Sequence, residues 1–167
     1  MDIHSLRLVL ENDMFDEAEI MLKEMGRSKN IEAVPLLIEY LKSTGNALLR
    51  NSIALTLSDI GNEEAVQPLI EVINDPKTLG NRGTLLYALE PFDCSAHLET
   101  LVDHLINGNF EVQAQAHQLI KAINGKIPDE ILCKCILQVK EKLNEIERQE
   151  GILSDALETF SSFKKCN

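Results

Sequence analysis

Tryptophan is absent from this chain, and aromatic residues make up only 4% of it. Basic residues are scarce as well: 16 lysines and arginines stand against 27 aspartates and glutamates, for a formal net charge of −11. Nucleic-acid binding depends on lysine and arginine neutralising phosphates, and no basic patch interleaved with aromatics occurs, so no direct nucleic-acid contact is expected. No apolar run approaches the roughly 18 residues of a membrane helix, which excludes a span of that kind. The first residues, Met1-Asp2-Ile3-His4-Ser5, lack a basic region followed by an apolar segment, so the expectation is no secretory signal and a cytoplasmic protein. There is no G-x-S-x-G elbow, no P-loop and no H-E-x-x-H pair, which removes the commonest signatures of hydrolases and nucleotide enzymes.

Cysteine and histidine are too few and too poorly spaced for a metal. Cys133 and Cys135 lie two apart in a helical pattern, about 200° around the axis from one another, and cannot chelate one ion together. Cys94 and Cys166 are isolated, and reduced thiols are the default of a cytosolic chain. Among the four histidines, His97 and His104 share a helical face but sit about 10 Å apart along it. A surface role is expected of them, with no cofactor and no metal.

What the chain does have is an interval. Val34-Pro35-Leu36-Leu37-Ile38-Glu39-Tyr40-Leu41, Val66-Gln67-Pro68-Leu69-Ile70-Glu71-Val72-Ile73 and Leu98-Glu99-Thr100-Leu101-Val102-Asp103-His104-Leu105 superpose with a period of 32. In each, apolar side chains occupy the first, fourth, fifth and eighth places, one face of a helix, and an acid follows the pair. Such a period means stacked units, each too small to bury its own face. Between the copies lie second helices. The first reads Leu49-Arg50-Asn51-Ser52-Ile53-Ala54-Leu55-Thr56-Leu57-Ser58-Asp59-Ile60-Gly61, with a buried stripe of Ile53, Ala54, Leu57 and Ile60 and a left-handed cap at Gly61. The second repeats it at +32 with Arg82, Leu85, Leu86, Leu89 and Phe92, and Pro91 is expected to end that helix early. A third follows at +63 with Gln113, Ala116, His117, Ile120 and Ile123, His117 taking the core place of Ala54.

An arginine opening the helix, small and apolar residues after it and an Ile-Gly ending resemble the second helix of a HEAT repeat, of the short bacterial type also found in phycobilisome-lyase-like proteins. The resemblance covers Glu32 to Ile123 and rests on core positions. It implies an all-α, right-handed α-solenoid of stacked antiparallel helix pairs, about ten helices in a single domain over 1–167. Residues 1–31 form an N-terminal capping pair, 32–126 three HEAT-like repeats, and 127–167 a C-terminal capping pair. Asp75 and Arg82 match the family's Asp and Arg, which in such arrays link neighbouring turns. Iron-binding HEAT hydroxylases carry His-Glu pairs, and no His-Glu dipeptide occurs here.

The N-terminal pair comprises a helix over 2–12 and another from Met14 to Gly26, with the glycine at its end. The C-terminal segment opens on Pro128 as a first helical residue and runs to about Gln149, with Leu132, Ile136, Val139, Leu143 and Ile146 spaced 4, 3, 4 and 3. Two heptads fall short of the three to four that mark a coiled coil. After Gly151 a further helix with Leu153, Leu157 and Phe160 is expected to fold back on the long one as a cap. A monomer follows from that arrangement, and a dimer through the same stripe is the alternative.

In a helix-pair solenoid the second helices line the concave side. Opposite the buried stripe of the first lie Asn51, Leu55 and Ser58; the register carries these to Gly83, Tyr87 and Glu90, and then to Ala114, Gln118 and Lys121. These nine are the candidate partner-binding residues, with Tyr87 as anchor, since tyrosine joins a large contact area to a hydroxyl. The competing reading packs Leu55 and Tyr87 between adjacent inner helices. The acids of the outer helices, Glu39, Glu71 and Asp103 among them, form a solvated face. No catalytic residue is expected. The function is therefore non-catalytic protein binding, in its sharpest form an acidic inhibitor of a basic partner, as an immunity protein neutralises a toxin; a net charge of this sign steers a basic partner, although it also serves solubility alone. The alternative is a HEAT-like small-molecule enzyme of the bilin-lyase kind.

Overall fold

The computed structural model describes residues 2–163, and every regular element among them is helical. Eight α-helices make four antiparallel pairs: α1 (Ile3–Glu11) with α2 (Phe15–Arg27), α3 (Val34–Ser43) with α4 (Ala47–Ile60), α5 (Val66–Asn74) with α6 (Arg82–Tyr87), and α7 (Leu98–Asn107) with α8 (Phe110–Ala122). The second members stack in succession, α2 on α4, α4 on α6 and α6 on α8, and the first member α3 stacks on α5. This is a helical solenoid. A ninth helix, α9 (Asp129–Phe163), follows in a separate compact unit, the chain dividing at Lys126 and Ile127.

The repeating apolar places build the core. Leu37, Leu41, Ile53, Leu57, Leu69, Ile73, Leu85, Leu86 and Leu89 are fully buried in one continuous cluster. Polar residues set where each helix begins and ends. Asn46 caps α4 by accepting from the amides of Leu48 and Leu49, and Asn109 caps α8 through the amide of Val112 at 2.9 Å. Such caps are worth about 1 kcal/mol each. Gly61 ends α4 at φ 75°, its N–H returning to the carbonyl of Leu57, as its place in the sequence predicts. The helix α6 stops at Tyr87, four residues before Pro91, and the chain goes on through i to i+3 bonds such as Glu90 N–H to the Tyr87 carbonyl at 3.0 Å.

Outer helices are tied by polar contacts that cross one repeat. Arg7 pairs with Glu39 at 3.1 Å and Lys42 with Glu71 at 2.6 Å, while His104 Nε2 donates to the Asn74 amide oxygen at 3.0 Å. The arginines opening the second helices turn inward upon their own loops. Arg50, buried, donates to the carbonyl of Thr44, and Arg82 donates to that of Asp75 at 3.3 Å. The Asp75 carboxylate caps the Lys77 amide at 2.9 Å, which holds it below the usual carboxylate range, with the Lys77 ammonium and the Arg50 guanidinium adding to the effect.

Four sequence expectations are corrected. Among the described residues the C-terminal segment is one helix of 35 residues, with no pair and no turn at Gly151. A single glycine within a helix costs only about 1 kcal/mol, too little to break a segment otherwise rich in helix formers. Gly26 lies inside α2 and does not cap it; a Cβ there would come within 3.0–3.1 Å of the Asp59 side chain, so the glycine serves the close approach of α2 to α4. His104 is buried, not superficial. His117 is exposed, not in the core: α8 is the last of the stacked inner helices, and its buried stripe is only Val112, Ala116 and Leu119.

Candidate functional site

The two middle inner helices, α4 and α6, each have one face committed to the outer partner and two edges committed to stacked neighbours. What remains points outward. On α4 this leaves Leu55 36% exposed, and at the end of α6 it leaves Tyr87 50% exposed. The structure gathers Leu55 and Ser58 of α4 with Tyr87 and Glu90 around one open groove of about 490 Å³. Lys29, Asp59 and Pro91 complete the lining.

The nine sequence-predicted residues therefore separate. Leu55, Ser58, Tyr87 and Glu90 meet in the groove. Asn51 is half-buried on α4, and its side-chain oxygen is enclosed with no hydrogen-bond partner among the described residues. Gly83 is buried, against the Glu111 side chain at the head of α8. Ala114, Gln118 and Lys121 are exposed on α8 but do not line the groove. The neighbour that α8 does send is Gln115, whose side-chain amide donates to Glu90 at 2.8 Å and holds that carboxylate in place.

Sequence reasoning missed Lys29, Asp59, Pro91 and Gln115. Lys29 stands at φ 49° in the turn after α2. The basic turn from Arg27 to Asn30 is its signal in the sequence, and a capping pair gives no reason to place that turn at the groove, whereas α2 stacks on α4 like any inner helix. Asp59 was legible as the neighbour of Ser58. Chemically the groove offers an apolar floor from Leu55 and Pro91, hydroxyls from Tyr87 and Ser58, two carboxylates and one ammonium. Among the described residues lining it there is no histidine and no cysteine, so it holds no imidazole base and no thiol nucleophile.

A second exposed feature also escaped the sequence reading. Phe15, Leu48, Leu79 and Phe110 recur at intervals close to the repeat, at or just before the N-terminal ends of successive inner helices, and their exposures are 42%, 78%, 74% and 87%. Phe15 and Leu48 flank one hollow of about 210 Å³ with Asp16 and Glu19 on its rim. The row follows one edge of the array, and its period was the available signal.

A family model described as HEAT repeats fits residues 5–90, just over half of the chain. The chain belongs to the HEAT-repeat family. The matched region runs from α1 through Glu90, so it takes in the N-terminal pair together with the two repeats that frame the groove. HEAT repeats are protein-interaction modules of a scaffold type, generally without catalysis, and that coarse function comes with the family. No curated protein and no solved structure matches the chain. Among the described residues no helix is long and apolar enough to cross a membrane.

Proposed function

We propose that this HEAT-repeat protein is a non-catalytic binder that holds a basic protein partner in the groove between α4 and α6, acting as an inhibitor. The sharpest form of this reading is an immunity protein that neutralises a toxin. The observation that carries it is the exposure of Leu55 and Tyr87 side by side in an open groove edged by Asp59 and Glu90. An aromatic with a hydroxyl, resting beside an aliphatic contact and ringed by polar groups, is the pattern of an interface hot spot. The surrounding charge of −11 favours a cationic partner by steering the encounter and by opposing acidic competitors. Cys94 is a buried thiol and Cys133 an exposed one, which accords with a reducing cytoplasm as the place of encounter.

The test is a pull-down with the full chain as bait at low and at high salt, with mass spectrometry of what is retained. Capture of one basic protein, released by salt, is the expected result. Tyr87→Ala then weakens that complex by about 2 kcal/mol, close to thirtyfold, while leaving the melting temperature nearly unchanged. Equal affinity after the substitution removes the groove from the interface. Retention of a coloured or small-molecule ligand with no protein removes the binder reading itself.

A further inference from the structure

The uninterrupted course of α9 alters what its apolar residues mean. Because the helix passes through Gly151 without a break, the stripe before it and the stripe after it share one register. Leu132, Val139, Ile146, Leu153 and Phe160 fall at every seventh residue across its length. Ile136, Leu143 and Leu157 fill the interleaved place, and Glu150 is its one polar member. The result is a 4-3 repeat sustained over four heptads, the length at which such a pattern specifies a coiled coil. Most of the stripe is exposed, Ile136 45%, Leu143 59%, Leu153 65% and Phe160 61%, with Val139 half-buried. A helix some 50 Å long with a largely exposed apolar seam gains most of its stability from what packs on that seam.

We propose that α9 pairs with the α9 of a second copy of this chain in a parallel, two-stranded coiled coil. The flanks of the seam are complementary to a second copy of the same helix. In a parallel, in-register pair the residue just before one seam position faces the residue just after a seam position of the opposite helix, five places further on. That sets Lys142 against Glu147 of the second copy, and symmetry forms the same pair twice. Two antiparallel registers each overlap eight of the nine seam positions: one sets Glu147 against its own copy, which like charges oppose, and the other sets it against Lys140, a pairing that double charge reversal of Lys142 and Glu147 tells apart from the parallel one. In the single chain Lys142 pairs with Glu145 of its own helix at 2.9 Å, a contact that Glu147 of the second copy replaces on association. Glu150 meets Glu150 of the second copy across the seam, a like-charged layer that weakens the pair.

This dimer is independent of the groove between α4 and α6 and presents two such grooves on one particle. If the grooves engage a partner that is itself repeated, the second contact forms at high effective concentration, and avidity exceeds the affinity of one groove.

The experiment is sedimentation equilibrium of the full chain over a hundredfold range of concentration, with far-ultraviolet circular dichroism as the control of folding. The expected species is about 37 kDa, twice the 18.7 kDa chain, dissociating on dilution. Ile146→Glu leaves 18.7 kDa at every concentration with the array still helical. Lys142→Glu and Glu147→Lys, which touch no apolar residue, each weaken association by about tenfold, and the two together restore it to near the original value. Glu150→Leu tightens the dimer at least about tenfold by replacing the polar layer. A wild-type chain at 18.7 kDa throughout, or an Ile146→Glu chain still at twice that mass, overturns the dimer. A double charge reversal as weak as either single change overturns the parallel pairing.

Discussion

Cys94 and Cys133 are the same chemical group in opposite surroundings. Cys94, 2% exposed in the turn after α6, has its thiol pushed up to about 11 by burial, with the charge of Asp93 adding to the shift. Cys133 stands exposed on α9. The thiolate is the reactive form, so a maleimide at mild alkaline pH is expected to modify Cys133 at once and Cys94 only as the array opens. Peptide mapping against time reads both rates, and prompt labelling of Cys94 in the folded protein contradicts the packing described. His104 makes a similar point through pH. Burial lowers its pKa from the usual 6.5, the nearby Arg82 guanidinium lowers it further, and Asp103 opposes them weakly. The folded chain therefore keeps this ring neutral where the unfolded chain protonates it. Between the folded pKa and 6.5 the unfolded state binds more protons, so stability is full above 6.5 and is lost as pH falls through that window. The urea midpoint is expected to drop between pH 7 and about 5.5, and a His104→Gln chain to lose most of that drop. Asp75, Glu71 and Asp93, held low by hydrogen bonds from Lys77, Lys42 and Ser95 respectively, add their own loss only in the more acidic carboxylate range. A midpoint that is flat until that range removes His104 as the sensor.

Elements are where the sequence spoke most clearly, because a helix in a stack repeats its obligations. Leu57 has no exposure at all, on the face where α4 meets its neighbours, and its place follows from the period alone. Leu57→Asp is expected to cost about 4 kcal/mol or more, enough to unfold the array, since a carboxylate would be buried without a partner. An unchanged melting curve refutes the register. The same logic made Ile53, Ala54, Ile60 and the cap at Gly61 legible, since a buried stripe and a left-handed cap are local demands. What was illegible depended on neighbours. His117 occupies a core place by period and yet lies exposed, because α8 ends the stack and lacks a next inner helix to cover that side. Gly26 read as a cap because glycine after a helical run so often is one, while its use here is the space that Asp59 fills. Four of the seven residues lining the groove were legible in the sequence, Leu55, Ser58, Tyr87 and Glu90, whereas Lys29 required knowing that the first pair joins the stack. Gly151 misled in the other direction, suggesting a break where the flanking residues carry the helix through. Replacing it with alanine is expected to strengthen α9 by about 1 kcal/mol, visible as added helical signal late in a thermal melt. A loss of helix on that change argues that Gly151 serves a turn after all.

At the scale of the whole molecule the excess of 27 acids over 16 bases acts on two equilibria with opposite sign. Within the chain, the like charges repel and favour the expanded, unfolded state, and salt relieves this by screening over a Debye length of about 10 Å at 0.1 M. The ion pairs that join repeats, Arg7 with Glu39 and Lys42 with Glu71, pull the other way, yet both are well exposed, and pairs of that kind contribute about 0–1 kcal/mol before screening. The surplus of acids outweighs them, so the melting temperature is expected to rise as sodium chloride increases from about 0.01 to about 0.5 M. Between this chain and a cationic partner the same charges attract, so affinity for whatever basic protein the pull-down yields is expected to fall over that range, chiefly through a slower association rate. One salt series, read by calorimetry for the free protein and by association kinetics for the complex, tests both. A melting temperature that falls with salt means that the inter-repeat pairs hold the array together against the net charge. An association rate indifferent to salt means that the acidic surface serves solubility, and the partner is then recognised by the apolar contacts of Leu55 and Tyr87 alone.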